Sequence, residues 1–137
     1  MLYPAKFIKE DNESYIVSFR DIPEALTQGS NLNEAKEMAL NALIIAMGFY
    51  FEDNRPVPAP SSIEDDEILI ELPISIWSKI LLLNTMLEQH VTQSELAKRL
   101  GKTRQEMQRV INLEHNTKID TIIEALKTLG KHPTFFI

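Results

Sequence analysis

TQSELAKRLGKTRQEMQRVINL, residues 92–113, holds two helix starts separated by one glycine. Thr92 is followed three residues later by Glu95, and Thr103 by Glu106. In such pairs the threonine hydroxyl accepts from the backbone N–H of the glutamate, and the carboxylate reaches back to the threonine N–H, so two capping boxes are predicted. Val91 before the first cap and Leu96 inside the helix stand where a hydrophobic staple sits. Gly101 ends the first helix, being the residue type that enters the left-handed region at no steric cost. Counting from Gln93 as position 1, Ala97 falls at 5, Gly101 at 9, Met107 at 15 and Val110 at 18. That is helix-turn-helix spacing: small where the second helix crosses, apolar where it anchors on the first.

Met107, Val110 and Ile111 share the inward stripe of the second helix, leaving Arg104, Gln105, Gln108 and Asn112 outward with Arg109 at the edge. Arg grips guanine O6 and N7 and Gln grips adenine N6 and N7, so the two arginines and two glutamines are the expected base contacts. Gln93, at a helix N-terminus where free N–H groups favour anions, is expected at a phosphate, with Lys102, Thr103 and Lys118 as further backbone contacts. Solvated helix faces also carry Arg and Gln; the turn spacing is what favours DNA. The segment from about Ser75 to Gly130 resembles the Cro/C1 repressor type of helix-turn-helix. The resemblance implies a four- or five-helix domain with the second short helix in the major groove. It puts groove-facing positions on Arg104, Gln105 and Arg109, and the backbone-facing cap on Gln93.

A net charge of −6 suits a DNA binder only once it is divided. Residues 1–77 carry 5 Lys and Arg against 14 Asp and Glu, or −9, whereas residues 78–137 carry 9 against 6, or +3. An acidic half repels phosphate, so a basic partner is expected for it, unless the surplus acid serves solubility alone. The absence of cysteine excludes disulfides, Cys–zinc sites and a thiol nucleophile. No apolar run approaches the ~20 residues of a membrane span, and a cytoplasmic protein without a membrane partner is expected.

Leu2 to Glu10 and Tyr15 to Ile22 alternate as strands around the polar turn Asp11 to Ser14. Pro23 breaks the second, and Ala25 to Gln28 form a short third strand. Asn31 with Glu34 caps a helix whose apolar stripe runs Ala35, Met38, Ala39, Ala42, Leu43, Ala46 and Phe49 or Tyr50. A proline-rich connection, about 54–62, leads to a fourth strand through Ile68, Ile70 and Leu72 that Pro73 ends. The fold class is α+β: a small antiparallel sheet with one helix, β-β-β-α-β, over residues 1–73, then an all-α helix-turn-helix domain over 74–137. In the second domain Ser75 is expected to cap a helix from Ile76 to about Gln89, with Ile76, Ile80, Leu83 and Leu87 toward the core and Trp77, Leu81 and Leu82 left over for other cover. Thr117 with Asp120 is expected to start the last helix, carrying Ile122, Leu126 and Leu129 inward, and Gly130 to stop it. The apolar tail HPTFFI, residues 132–137, is expected to pair as a short strand with its mate in a dimer.

His90, His115 and His132 all lie in the second domain, so the first has no histidine for acid–base work or zinc. Its carboxylates Asp21, Glu24, Glu52 and Asp53 have no diagnostic metal spacing. No catalytic residue, metal or cofactor is expected, and the chain is read as a non-enzyme. YIVSFRDIPEALTQGSNLNEAKEMALNAL, with FYFEDN and the prolines after it, resembles the HicB antitoxin family. The resemblance implies a partial, catalytically inactive RNase H-like domain that holds and neutralises a HicA-type mRNA-cutting ribonuclease toxin. It also implies a second domain that represses its own operon on operator DNA, and assembly into homodimers or tetramers. Some members carry a ribbon-helix-helix instead, so the DNA half rests here on its own motif. An acidic domain suits a basic ribonuclease, and Glu10, Asp11, Glu13, Asp21 and Glu24 are the candidate toxin contacts. Asp21 is also expected to fix the Ile22–Pro23 turn. Two other readings are a regulator whose first domain senses a small ligand in a pocket between sheet and helix, and a phage-type repressor whose first domain only oligomerises.

Overall fold

A computed structural model describes residues 1–137. The chain divides into two compact units, Met1–Tyr50 with Val57–Pro73, and Phe51–Pro56 with Ile74–Ile137. No helix is long and apolar enough to cross a membrane.

The first unit holds β1 (Leu2–Lys9), β2 (Tyr15–Ser18), β3 (Leu26–Gly29) and β4 (Glu67–Glu71), with most of α1 (Leu32–Glu52). The sheet is antiparallel throughout, in the order β3-β2-β1-β4. Alternation sets its register: Tyr3 lies opposite Ile70 and Phe7 opposite Val17, so one face gathers the apolar side chains. β2 is half the length the alternation suggests. Phe19 and Ile22 are still buried, but on an irregular turn in which the Ala25 N–H donates to the Ile22 carbonyl. Two side chains tie this turn to the proline-rich connection. The Asp21 carboxylate accepts from the Ser61 N–H at 2.9 Å and its hydroxyl at 2.5 Å, and Arg20 donates to Glu67 and to the Ser62 carbonyl. Asp21 therefore holds a segment far along the chain and makes no bond to the Ile22–Pro23 turn expected of it. The hydrogen bond to Glu67 raises the pKa of Arg20, and the same bond lowers that of Glu67. Tyr3 donates to the Pro58 carbonyl at 2.6 Å, and burial pushes its phenol up to about 12, with Asp21 and Tyr50 adding to the rise.

Asn31 caps α1 as its sequence predicts, accepting from the Glu34 N–H at 2.9 Å, while the Glu34 carboxylate takes the N–H and hydroxyl of Ser30. The predicted stripe divides in two. Ala35, Ala39, Leu43, Ala46, Met47 and Tyr50 are buried, whereas Met38, Ile45 and Phe49 are exposed. Alanines at 35, 39 and 46 let the helix approach closely on that row, which turns the neighbouring row to solvent.

The second unit holds α2 (Ile74–Glu88), α3 (Gln93–Leu100), α4 (Arg104–Ile111) and α5 (Ile119–Thr128). Its core joins Leu82 and Met86 of α2 to Leu96, Ala97, Met107, Val110, Ile111, Ile122, Ala125, Leu126 and Leu129, with Val91 packed at the edge. Leu82, expected to be left over, is thus central. Ile76, Ile80 and Leu83 are buried outside this cluster, and Leu87 is only half-buried. Ser75 does not cap α2: the helix starts at Ile74, and the Ser75 carbonyl accepts from the Ser78 hydroxyl. Nor does Thr117 cap α5. Lys118 stands at that cap without a side-chain bond, because the Thr117 hydroxyl donates to the Arg109 carbonyl. The tail forms no strand within the chain, and Phe135, Phe136 and Ile137 are exposed.

Candidate nucleic-acid interface

Thr92 is extended (φ −80°, ψ 163°) and accepts from the Glu95 N–H at 3.1 Å. The reciprocal bond is missing, since Glu95 instead accepts from Arg99 Nε at 3.2 Å along the helix. This first box is therefore half made. At Thr103 it is complete, with Glu106 N–H to Thr103 Oγ1 at 3.1 Å and Thr103 N–H to Glu106 Oε2 at 2.9 Å. Between the two caps Gly101 takes φ 65°, ψ 29°, and the Lys102 N–H reaches the Ala97 carbonyl at 2.9 Å, which closes α3 and turns the chain into α4.

Because Met107, Val110 and Ile111 are buried, α4 can present only its other side. Arg104, Gln105, Gln108 and Arg109 are all exposed, and none spends its side chain on a hydrogen bond or ion pair within the chain. Two guanidinium groups and two carboxamides thus share the outer side of one helix, the donor and acceptor set that reads base edges. Gln93 is half-buried at the first turn of α3, Lys102 half-buried in the turn, and Lys118 exposed at the start of α5. Thr103 has its N–H occupied by Glu106, which leaves only its hydroxyl hydrogen for a phosphate. The sequence reading missed Lys79, a buried lysine on α2 that bonds to the end of α4. The one available signal was that α4, unlike α3 and α5, has no glycine after it.

Residues 2–81 match the family described as HicB_like antitoxin of bacterial toxin-antitoxin system, and residues 83–136 match a helix-turn-helix family. The chain belongs to the HicB antitoxin family. It is 50% identical over 131 residues to Antitoxin HicB of Escherichia coli (strain K12), covering 96% of this chain and 95% of that one. To Antitoxin HicB 2 of Photorhabdus laumondii it is 52% identical over 132 residues, 96% and 93% of the two chains. To Antitoxin HicB of Pseudomonas fluorescens it is 34% identical over 125 residues, 90% and 86%. The HicB part and the helix-turn-helix together account for nearly the whole chain, so this HicB-family protein carries a helix-turn-helix DNA-binding domain.

The acids singled out on the HicB part do not form one free cluster. Glu10, Asp11 and Glu13 stand exposed at the β1–β2 turn, where Glu13 pairs with Lys9 at 3.1 Å and Glu10 accepts from the Ser14 hydroxyl. Asp21 is held by Ser61, and Glu24 accepts from the Tyr50 hydroxyl at 2.7 Å. A different surface feature accompanies them. Met38, Ala42, Ile45 and Phe49 follow one another along α1 beside Leu26 of the edge strand β3, lining a groove of about 230 Å³ with Glu24 at its rim. Leu26 and Ile45 are 66% and 62% exposed, unusual for side chains of their size.

Proposed function

We propose that the chain is an antitoxin that neutralises a HicA-type mRNA-cutting ribonuclease with its first domain and represses its own operon with its second, as a cytoplasmic non-enzyme. The observation that carries the DNA half is the outer side of α4, where Arg104, Gln105, Gln108 and Arg109 stand exposed behind two capped helix starts. These four read base edges, and Gln93, Lys102, Lys118 and the Thr103 hydroxyl meet phosphates. A homodimer or tetramer presents two such helices to two half-sites.

The toxin half is supported by charge and by exposed apolar surface together. A ribonuclease that attracts RNA is basic, and residues 1–77 carry −9 to meet it. The hairpin acids Glu10, Asp11 and Glu13 steer the encounter, with Asp21 and Glu24 beyond β2, and the Met38, Ile45 and Phe49 row supplies the apolar contact that charge alone lacks. A domain that senses a small ligand has less support, since the depression beside α1 is an open groove and not an enclosed pocket.

The test is binding of the intact chain to a duplex from upstream of its own reading frame, by fluorescence anisotropy at two salt concentrations with random duplex as competitor. Tight, salt-sensitive binding that survives the competitor is expected. A chain that neither binds that duplex nor captures the product of the small reading frame beside its gene is not an antitoxin of this kind.

A further inference from the structure

Three helix ends in the second unit are closed in two different ways. α3 ends on Gly101 at φ 65°, and beyond α5 Gly130 at φ 81° lets the Lys131 N–H turn back to the Leu126 carbonyl at 2.9 Å. Each is the left-handed closure that satisfies the last carbonyls of a helix. α4 has no such residue. Asn112 follows it at φ −80°, ψ 119°, and the chain leaves extended. The Arg109 carbonyl accepts from the Asn112 N–H and the Thr117 hydroxyl, and the Asn112 carbonyl from the His115 N–H, and this turn is also reached from another helix. The Lys79 ammonium on α2 donates to the carbonyl of Arg109 at 3.3 Å, of Asn112 at 2.6 Å and of His115 at 2.5 Å. Lys79 is 1% exposed.

Three donors meet three acceptors, so the ammonium is fully used, and a cation at a helix C-terminus is favoured by the helix dipole. Taking an ammonium out of water is nevertheless costly, and an apolar side chain of similar size fills a core position at less expense. The lysine therefore does something that packing alone does not. Its three bonds fix where α4 ends and how the 112–118 loop leaves it, and a helix held at one end by a rigid neighbour keeps its outer side chains in one orientation.

We propose that Lys79 is the positioning residue of the DNA-reading helix, clamping the C-terminal end of α4 so that Arg104, Gln105, Gln108 and Arg109 meet base edges together. It touches no DNA. The inference rests on the reading of α4 as the groove-entering helix, and one of its two tests is independent of that reading. Lys79→Met and Lys79→Gln are compared with the unaltered full-length chain on the upstream duplex and on random duplex. The expected result is a loss of about tenfold in preference for the upstream duplex, with the salt slope unchanged because the phosphate contacts remain. Amide hydrogen exchange without DNA is expected to speed up at Met107 to Ile111 and to stay unchanged in α3 and α5. Unchanged preference, or an equal loss on both duplexes, overturns the assignment. So does exchange that rises throughout the core, or failure of both variants to fold, since either makes Lys79 a stability residue only. If the unaltered chain itself shows no preference, the repressor reading fails, and the exchange comparison alone decides the clamp.

Discussion

At the scale of single residues, the two kinds of proposed DNA contact have opposite signatures. Arg104→Ala removes a group proposed to read bases and should cost about 1 to 3 kcal/mol on the upstream duplex while relaxing base choice. Lys118→Ala removes an exposed charge at the start of α5 and should weaken all sequences alike, lowering the salt slope by roughly one. Anisotropy titrations over a salt series separate the two, and equal losses on random duplex would refute the base-reading role of Arg104. Lys79 gives a pH test. Burial pushes its ammonium down to about 8, below the ~10.4 of a free lysine. Between those values the unfolded chain binds more protons than the folded one, so this group makes stability rise with pH. The clamp responds in the opposite sense, because a neutral amine has two donors for three carbonyls. Preference for the upstream duplex should therefore fall from about pH 8 toward 10 while the Lys79 contribution to stability grows. Arg109, Glu114, His115 and Lys118 are the other ionisable residues at the same end of α4, and Lys79→Met leaves all four in place. Loss of the opposed trends in that variant is the expected result. A fall of preference and stability in parallel would count against the clamp.

At the scale of elements, two glycines do different work. Around Gly101 an added Cβ meets nothing within 4 Å, so Gly101→Ala carries only the backbone cost of φ 65°, about 1 to 2 kcal/mol. At Gly29, at the end of β3, an added Cβ comes within 2.6 Å of Ala35 Cα and closer still to its N. Backbone cannot yield as a side-chain tip does, so α1 must shift, and Gly29→Ala should reach the upper end of about 1 to 3 kcal/mol or beyond. Urea denaturation followed by circular dichroism ranks the pair. The reverse order would mean that α1 sits less firmly against β3. How much of these elements the sequence discloses follows from the range of the signals. Caps and glycine stops are local, so α1, α3 and α4 and the turn at Gly101 are readable from neighbouring residues. The burial of Leu82 in place of Leu87, the division of the α1 stripe and the shortening of β2 depend on which row a helix lays down and on bonds between residues forty apart, such as Asp21 with Ser61. Periodicity is blind to both. The site follows the same rule: the outer side of α4 is a local pattern, whereas Lys79 reaches α4 from another helix.

At the scale of the whole molecule, acid and base are segregated along the chain, −9 over residues 1–77 and +3 over residues 78–137. Such a division lets two partners of opposite charge be engaged without competing for one surface. The two sets of contacts should then be separable by mutation. Reversing Glu10, Asp11 and Glu13 to lysine alters the exposed β1–β2 turn and breaks only the Lys9–Glu13 pair and the Ser14 bond, so folding should survive. Association with the toxin should slow several-fold or more at low salt and converge with that of the unaltered chain at high salt, because steering is screened beyond ~10 Å at 0.1 M. Ile45→Lys should act differently. It places a charge in the apolar row beside Met38 and Phe49, so it should speed dissociation and keep that effect at high salt. Neither change should alter affinity for the upstream duplex. Stopped-flow association and dissociation, each at two ionic strengths, separate the two effects. If triple reversal leaves the low-salt association rate untouched, the hairpin acids do not steer the toxin. If Ile45→Lys leaves dissociation untouched, the toxin sits on a different face, and the row along α1 is free for another copy of the chain.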